Sequence, residues 1–313
     1  MLKHRMRKRA SSNSHEGTIT APDGTKLWYR SRGEGPALFF QNGVGVTTTF
    51  WEGVAERFAR AGYRTVVWDY RGHGKSDDPQ EPEELDLLTC VDDLRLVMDA
   101  LGVERACLLG HSMGSQLGWE FYRRHPERVA GLVPTLGTYK DAVASFYNLP
   151  WLAPKVLSVA SFLAGSFPDF ARRLASIPSI HPKLADRFIR RFAIVHPTLS
   201  PSDWVPGYLE HMARLDPRVF FALARAMQTH DASDLLPRIR VPVLVVAGER
   251  DLFCPPRVAV EMAERIPDAE LLLIPAGSHA AIIEQPDLFA LRLANFLEER
   301  VYPMGHSPQK LHA

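Results

Sequence analysis

Ala106-Cys107-Leu108-Leu109-Gly110-His111-Ser112-Met113-Gly114 is the stretch on which the reading of the chain turns. Four apolar residues form a run short enough for a buried strand, and G-x-S-x-G follows at once, with a helix-compatible segment beginning near Gln116. A strand that turns sharply into a helix leaves no room for side chains beside the serine, which accounts for a glycine on either side. Such a turn holds the Ser112 hydroxyl outward at the carboxyl edge of a sheet, where ligands bind in open α/β architectures. A serine hydroxyl is a weak nucleophile at neutral pH and needs a base, which in turn needs an orienting carboxylate.

Both partners are found downstream, each after another strand-like run. Val243-Leu244-Val245-Val246-Ala247-Gly248 leads into Glu249-Arg250-Asp251, and Leu271-Leu272-Leu273-Ile274-Pro275-Ala276-Gly277-Ser278 leads into His279. Asp251 and His279 are therefore expected at the same sheet edge as Ser112, in the chain order Ser, Asp, His. Glu249 is the neighbouring carboxylate that competes with Asp251, and Asp141, after the preceding strand, is the next alternative. His279 stands out among twelve histidines by position alone. A tetrahedral oxyanion needs preorganised donors. The Met113 N–H is one candidate, and Val44, in Gln41-Asn42-Gly43-Val44-Gly45, is the second. Asn42, Gly43 and His111 are expected to border the substrate; for His111 and for His73, packing beneath the rim is the competing role.

Outward from these motifs the chain alternates strands and helices. Strands are expected at 17–21 and 26–31, joined by an Asp23-Gly24 hairpin turn, and at 37–41, 65–69, 106–109, 129–135, 243–247 and 271–274. The last six read as fully buried parallel strands. Amphipathic helices are expected near 50–61, 87–101, 116–124, 257–266 and 288–300. The alternation breaks between 137 and 236, a proline-punctuated, aromatic-rich block read as a helical cap inserted into a core of 17–136 and 237–300. Residues 1–16 are assigned to a disordered basic arm and 301–313 to a flexible tail.

Composition agrees with an ordinary globular chain: 313 residues, 46% hydrophobic, 23% charged, formal net charge +1. No global field recruits nucleic acid or an acidic partner. Cys90, Cys107 and Cys254 are far apart and without a C-x-x-C pair, so neither a disulfide framework nor a thiolate metal site is expected, and a reducing, cytoplasmic setting is. The basic run at 1–9 is followed by Ala10-Ser11-Ser12 rather than an apolar segment, so a secretory signal is not expected; a solvated arm is the reading, with a handle for anionic lipid or nucleic acid as its alternative. The longest apolar stretch, 149–167, is interrupted by Pro150, Pro154, Lys155 and Gly165 and is read as part of the cover over a pocket, not as a transmembrane segment.

With these residues in hand the chain resembles the α/β-hydrolase superfamily from about 17 to 300. Asp69-Tyr70-Arg71-Gly72-His73-Gly74-Lys75-Ser76 is similar to the family's D-x-R-G-x-G-x-S turn, which is structural there. The resemblance implies a mostly parallel eight-stranded sheet with helices on both faces and an inserted helical cap. It also implies hydrolysis of a small-molecule ester or lactone by Ser112, Asp251 and His279, without metal or organic cofactor. Many members have His-Gly where Asn42-Gly43 stands here, a pair similar to that of enol-lactone hydrolases and some esterases. The serine nucleophile argues against the aspartate-dependent haloalkane dehalogenases and epoxide hydrolases. Carbon–carbon bond hydrolysis and cofactor-free perhydrolysis reuse the same triad, and a non-catalytic ligand-binding protein on this fold is the reading from another class. Tyr139, Phe146, Tyr147, Trp151, Phe162, Phe167, Phe170, Phe188, Phe192 and Trp204 of the cap are expected mostly in the core, a few facing substrate. Arg172, Arg173, Arg190 and Arg191 are expected on a solvated face, a substrate carboxylate being the alternative.

Overall fold

Eight strands join in one sheet in the computed structural model, which describes residues 14–149, 151–191, 195–202 and 204–303. They are β1 (Ser14–Thr20), β2 (Lys26–Arg32), β3 (Ala37–Gln41), β4 (Arg64–Trp68), β5 (Ala106–His111), β6 (Val129–Thr135), β7 (Leu244–Gly248) and β8 (Glu270–Ile274). Their order across the sheet is β1-β2-β4-β3-β5-β6-β7-β8. The hairpin strands β1 and β2 pair antiparallel, β2 pairs antiparallel with β4, and every later pairing is parallel. The Asp23 carboxylate closes the hairpin turn by accepting from Thr25 N at 3.0 Å.

Alternate side chains along the central strands feed two cores. Phe39, Val66, Leu108 and Val245 point to one face, and Phe40, Val67, Leu109 and Val246 to the other. Helices α1 (Glu52–Arg60), α2 (Leu87–Ala100) and α3 (Met113–Arg124) connect the first parallel strands. Six helices, α4 (Ala142–Ser145), α5 (Ala153–Ser166), α6 (Pro168–Ile180), α7 (Pro182–Arg191), α8 (Trp204–Arg214) and α9 (Pro217–Thr229), lie between β6 and β7 among the described residues. Then α10 (Pro256–Arg265) links β7 to β8, and α11 (Ala281–Glu284) and α12 (Pro286–Phe296) close the fold. Helices α2, α3, α9 and α10 build the first core, and α1, α8 and α12 the second.

Three sequence expectations need correction. β1 begins at Ser14, so residues 14–16, assigned to the basic arm, belong to the sheet because β2 is long enough to pair them; residues 1–13 lie outside the described residues. β8 is an edge strand with one neighbour, and its burial alternates instead of being complete, with Leu271 39% and Leu273 44% exposed. The stretch assigned to a tail starts with a packed residue: Tyr302 OH donates to Ala37 O at 3.0 Å and accepts from Cys107 N at 3.2 Å. Residues 304–313 lie outside the described residues.

The turn after β4 is held by charge. Arg71 is buried and its guanidinium donates to both oxygens of buried Asp93 (2.8 and 2.5 Å) and to Asp23 at 2.6 Å. Ser76 Oγ donates to Asp69 O at 2.6 Å and accepts from Trp28 N at 2.9 Å, tying this turn to β2. Removing one partner of a buried pair leaves the other charge uncompensated. Arg71→Ala is therefore expected to destabilise the fold by about 3–5 kcal/mol in urea unfolding, and Arg71→Met with Asp93→Leu to recover much of that loss.

Candidate active site

Every part of the site hangs from a carboxyl end of a parallel strand. At the end of β5, Ser112 adopts φ 52° and ψ −116°, a conformation that side-chain-bearing residues rarely take. The turn is too tight for neighbours with a Cβ: one on Gly110 would stand 2.2 Å from Gly114 O, and one on Gly114 2.6 Å from Gln41 O. Ser112 N donates to Thr135 O on β6 at 2.9 Å, and Ser115 Oγ donates to Gly110 O at 2.8 Å, so sheet and helix both clamp the turn.

The loops after β7 and β8 are bound together before any side chain is considered. Glu249 N donates to Ile274 O at 3.0 Å and Arg250 N to Gly277 O at 2.8 Å. Asp251, at 1% exposure, accepts from Phe253 N (2.8 Å) and Cys254 N (2.9 Å) on one oxygen and faces His279 Nδ1 with the other at 2.8 Å. A backbone so arranged fixes the carboxylate, and the carboxylate fixes the imidazole. The His279 loop has a second anchor that sequence reading missed. Buried Glu284 accepts from Ser278 N (2.9 Å), Ser278 Oγ (2.6 Å), Ser200 Oγ (2.7 Å) and His196 N (2.6 Å). Its only signal in the sequence is an acid ending the apolar run Ala280-Ala281-Ile282-Ile283.

Ser112 and His279 open onto one cavity of about 460 Å³, together with Gly43, Val44 and His111. No hydrogen bond joins Ser112 Oγ to His279 in this structure. The Val44 and Met113 N–H groups donate to no described residue. The Val44 loop is held from behind, where Gly45 N donates to His73 Nε2 at 3.0 Å. Burial, with His211 beside it, pushes the His73 imidazole down to about 3, so that nitrogen remains an acceptor at neutral pH. His73 is thus a loop support. His111 donates from Nε2 to His279 O at 3.0 Å and packs on Phe50, ring centroids 4.0 Å apart. Burial and the neighbouring His279 hold it well below the usual histidine range, hence neutral.

Of the residues expected to border substrate, Gly43 and His111 line the cavity. Asn42 does not line the cavity: its Nδ2 donates to Trp68 O at 3.1 Å and its carbonyl accepts from Tyr70 OH at 2.8 Å, so it ties the end of β3 to β4. The competing carboxylates are engaged elsewhere. Asp141 caps α4 by accepting from Ala144 N at 3.0 Å, and exposed Glu249 accepts from Ala276 N at 2.8 Å. Asp251, Cys254 and His279 bring three potential metal-ligating atoms within 4.8 Å of one another. The set does not fit a metal: the carboxylate oxygens are already taken by two backbone N–H groups and the imidazole, and burial pushes the Cys254 thiol up, keeping it protonated.

The rest of the cavity wall is apolar, and no Asp, Glu, Lys or Arg belongs to it among the described residues. Of the ten cap aromatics, Phe146, Tyr147 and Trp204 line it, joined by Phe50, Tyr208, Phe220, Phe221 and Phe253. Tyr139 is buried away from the cavity, against Arg265 and Glu261. Trp151, Phe162, Phe167, Phe170 and Phe188 are exposed rather than in the core, because no described element covers this side of the cap; Phe192 lies outside the described residues. Arg172 pairs with Asp216 and Arg190 with Asp186, and none of the four cap arginines reaches the cavity.

A family model described as alpha/beta hydrolase fold matches residues 36–286. The chain is 28% identical over 282 residues to a putative carbamate hydrolase, RutD, of Agrobacterium fabrum, covering 86% of this chain and 95% of that one. It is 28% identical over 286 residues to a non-heme chloroperoxidase of Streptomyces lividans, covering 90% and 99%. Among solved structures, an enol-lactonase from Burkholderia xenovorans superposes with a TM-score of 0.72 at 23% identity, covering 90% of this chain and all of that one.

Because four donors depend on it, Glu284→Ala is expected to cost about 3 kcal/mol in thermal or urea unfolding. In the same variant kcat is expected to fall more than KM rises, since the His279 loop loses its anchor while the cavity wall is untouched.

Proposed function

The chain belongs to the alpha/beta hydrolase fold family, and on that footing we propose a serine hydrolase that cleaves a carboxylic ester or lactone of a small, largely hydrophobic substrate through an acyl-enzyme. The observation that carries the reading is the 2.8 Å pair of Asp251 and His279 at the rim of a cavity that also receives the strained Ser112. A carboxylate at Nδ1 favours the tautomer protonated there and leaves Nε2 free to accept a proton.

The steps follow from those positions. Ser112 Oγ attacks the carbonyl carbon as His279 Nε2 takes its proton, and the Ser–His hydrogen bond forms as substrate closes the site. The oxyanion accepts from the N–H groups of Val44 and Met113, each donor contributing roughly 3 kcal/mol to the transition state. Collapse breaks the bond to the leaving oxygen, which receives the proton from His279. Water then loses a proton to the same imidazole and attacks the acyl carbon; the bond to Ser112 Oγ breaks, His279 returns the proton to that oxygen, and the acid leaves. A wall without charged side chains favours a neutral acyl or aryl group, since an ion there would lose hydration without a partner. The relative described as a non-heme chloroperoxidase supports a second reading, attack of peroxide instead of water on the same acyl-enzyme.

Labelling by a fluorophosphonate is expected for the wild-type chain and lost in Ser112→Ala, with turnover of p-nitrophenyl esters down by roughly 10⁴-fold or more in that variant and by about 10⁴ in Asp251→Asn. Persistent labelling of folded Ser112→Ala would remove the proposal. Acyl chain length gives a separate check. Each added methylene should raise kcat/KM by about fourfold until the cavity is filled, as burial of one CH₂ is worth ~0.8 kcal/mol. Esters of dicarboxylic monoanions should lag behind neutral ones of equal length.

A further inference from the structure

The helices over the cavity carry most of the exposed large apolar side chains among the described residues. Fourteen of the twenty exposed large hydrophobic side chains among the described residues fall between Leu149 and Phe188. They follow helical spacing: Val159 and Phe162 on α5, Phe170, Leu174 and Ile177 on α6, and Leu184 on α7, with Phe162 70% and Leu184 68% exposed. The opposite side of α5 presents Ala153, Leu157 and Ala160 to the cavity. One helix thus separates the Ser112 cavity from an outward apolar face, and monomeric soluble proteins rarely expose such a face without a function for it.

Charge says what covers this face. Residues 151–191 hold seven basic side chains and two acidic ones, in a chain of net charge +1. Lys155, Arg173, Lys183, Arg187 and Arg191 are exposed and form no ion pair with a described residue. A second copy would bring the same positive charge against itself. The terminal segments are poor covers too, since residues 1–13 carry five Lys and Arg and no acid, and 304–313 one Lys and no acid. An anionic lipid surface complements both features, apolar side chains entering the headgroup layer while lysine and arginine meet lipid phosphates. The longest of the three helices, α5, has 14 residues, and no described helix is long and apolar enough to cross a membrane, so contact with a bilayer would be along its surface.

We propose that the outer face of α5, α6 and α7 docks on an anionic membrane surface, and that hydrophobic substrate reaches the Ser112 cavity from the lipid. Docking stands independently of the chemistry at Ser112; delivery of substrate rests on the hydrolase reading. Flotation of the full chain with phosphatidylcholine vesicles, with or without phosphatidylglycerol, tests it. Binding to the anionic vesicles is expected to exceed binding to the neutral ones by about tenfold or more and to weaken as salt is raised. Phe162→Asp with Phe170→Asp and Leu184→Asp should lose that binding while keeping wild-type circular dichroism and turnover of a water-soluble short-chain ester, as none of the three lines the cavity. Arg173→Gln with Arg187→Gln and Arg191→Gln, a milder surface change, should bring anionic binding to the neutral-vesicle level. Absent binding, equal binding to both vesicles, or a stable dimer that the aspartate variant splits into monomers would overturn docking. Binding kept with turnover absent would strike the hydrolase reading alone.

Discussion

The passage from β5 to α3 at Ser112 constrains everything around it. Its φ of 52° and ψ of −116° cost on the order of 1–3 kcal/mol for a residue with a side chain, and the cost is met only while strand, helix and neighbouring strand are all in place. Ser112 N is held by Thr135 O on β6, Gly114 sits against the backbone at the end of β3, and Ser115 bonds back to Gly110 O. Sheet order, the two small residues and the hydroxyl's exposure to the cavity are thereby one requirement, and Val44 and Met113, proposed above as oxyanion donors, follow the paired strands β3 and β5.

The neighbouring loops repeat the principle with hydrogen bonds in place of strain. Backbone amides fix Asp251, Asp251 fixes His279, and Glu284 holds the turn just before the histidine. Around them burial keeps His111 and His73 neutral. The result is a cavity with Ser112, His111 and His279 together at one place and a largely apolar wall elsewhere. On the proposed reading, such a distribution orients a carbonyl at one end and leaves the remainder of a substrate to be bound by area.

The helices between β6 and β7 answer to two environments at once. α8 and α9 bury Val205, Leu209, Val219 and Leu223 against the cores, whereas α5, α6 and α7 bury few large side chains and have hydrophobic outer faces edged with lysine and arginine. Amphipathic helices with that pattern are suited to an interface between water and lipid rather than to either alone. On the proposed reading, α5 is a partition with lipid on one side and the reactive hydroxyl on the other.

Eight strands and the position of Ser112, Asp251 and His279 after three of them were legible in the sequence, because apolar runs of strand length and a glycine-flanked serine are local signals with a local cause. Their places just after strand-like runs, in the order Ser, Asp, His, put the aspartate and histidine at one sheet edge. Which carboxylate meets His279 was not local: Asp141, Glu249 and Asp251 look alike in sequence, and only packing turned the first into a helix cap, the second to a loop amide and the third, buried, toward the imidazole. Asn42 read as a contact to substrate but is drawn inward by Trp68 O, and Glu284 gave almost no signal, since its four donors come from two separate stretches of chain. The cap aromatics divided between cavity, core and surface for the same reason. A side chain's type and spacing say that it will be on a helix face; what that face meets depends on elements distant in sequence, and is decided when they pack.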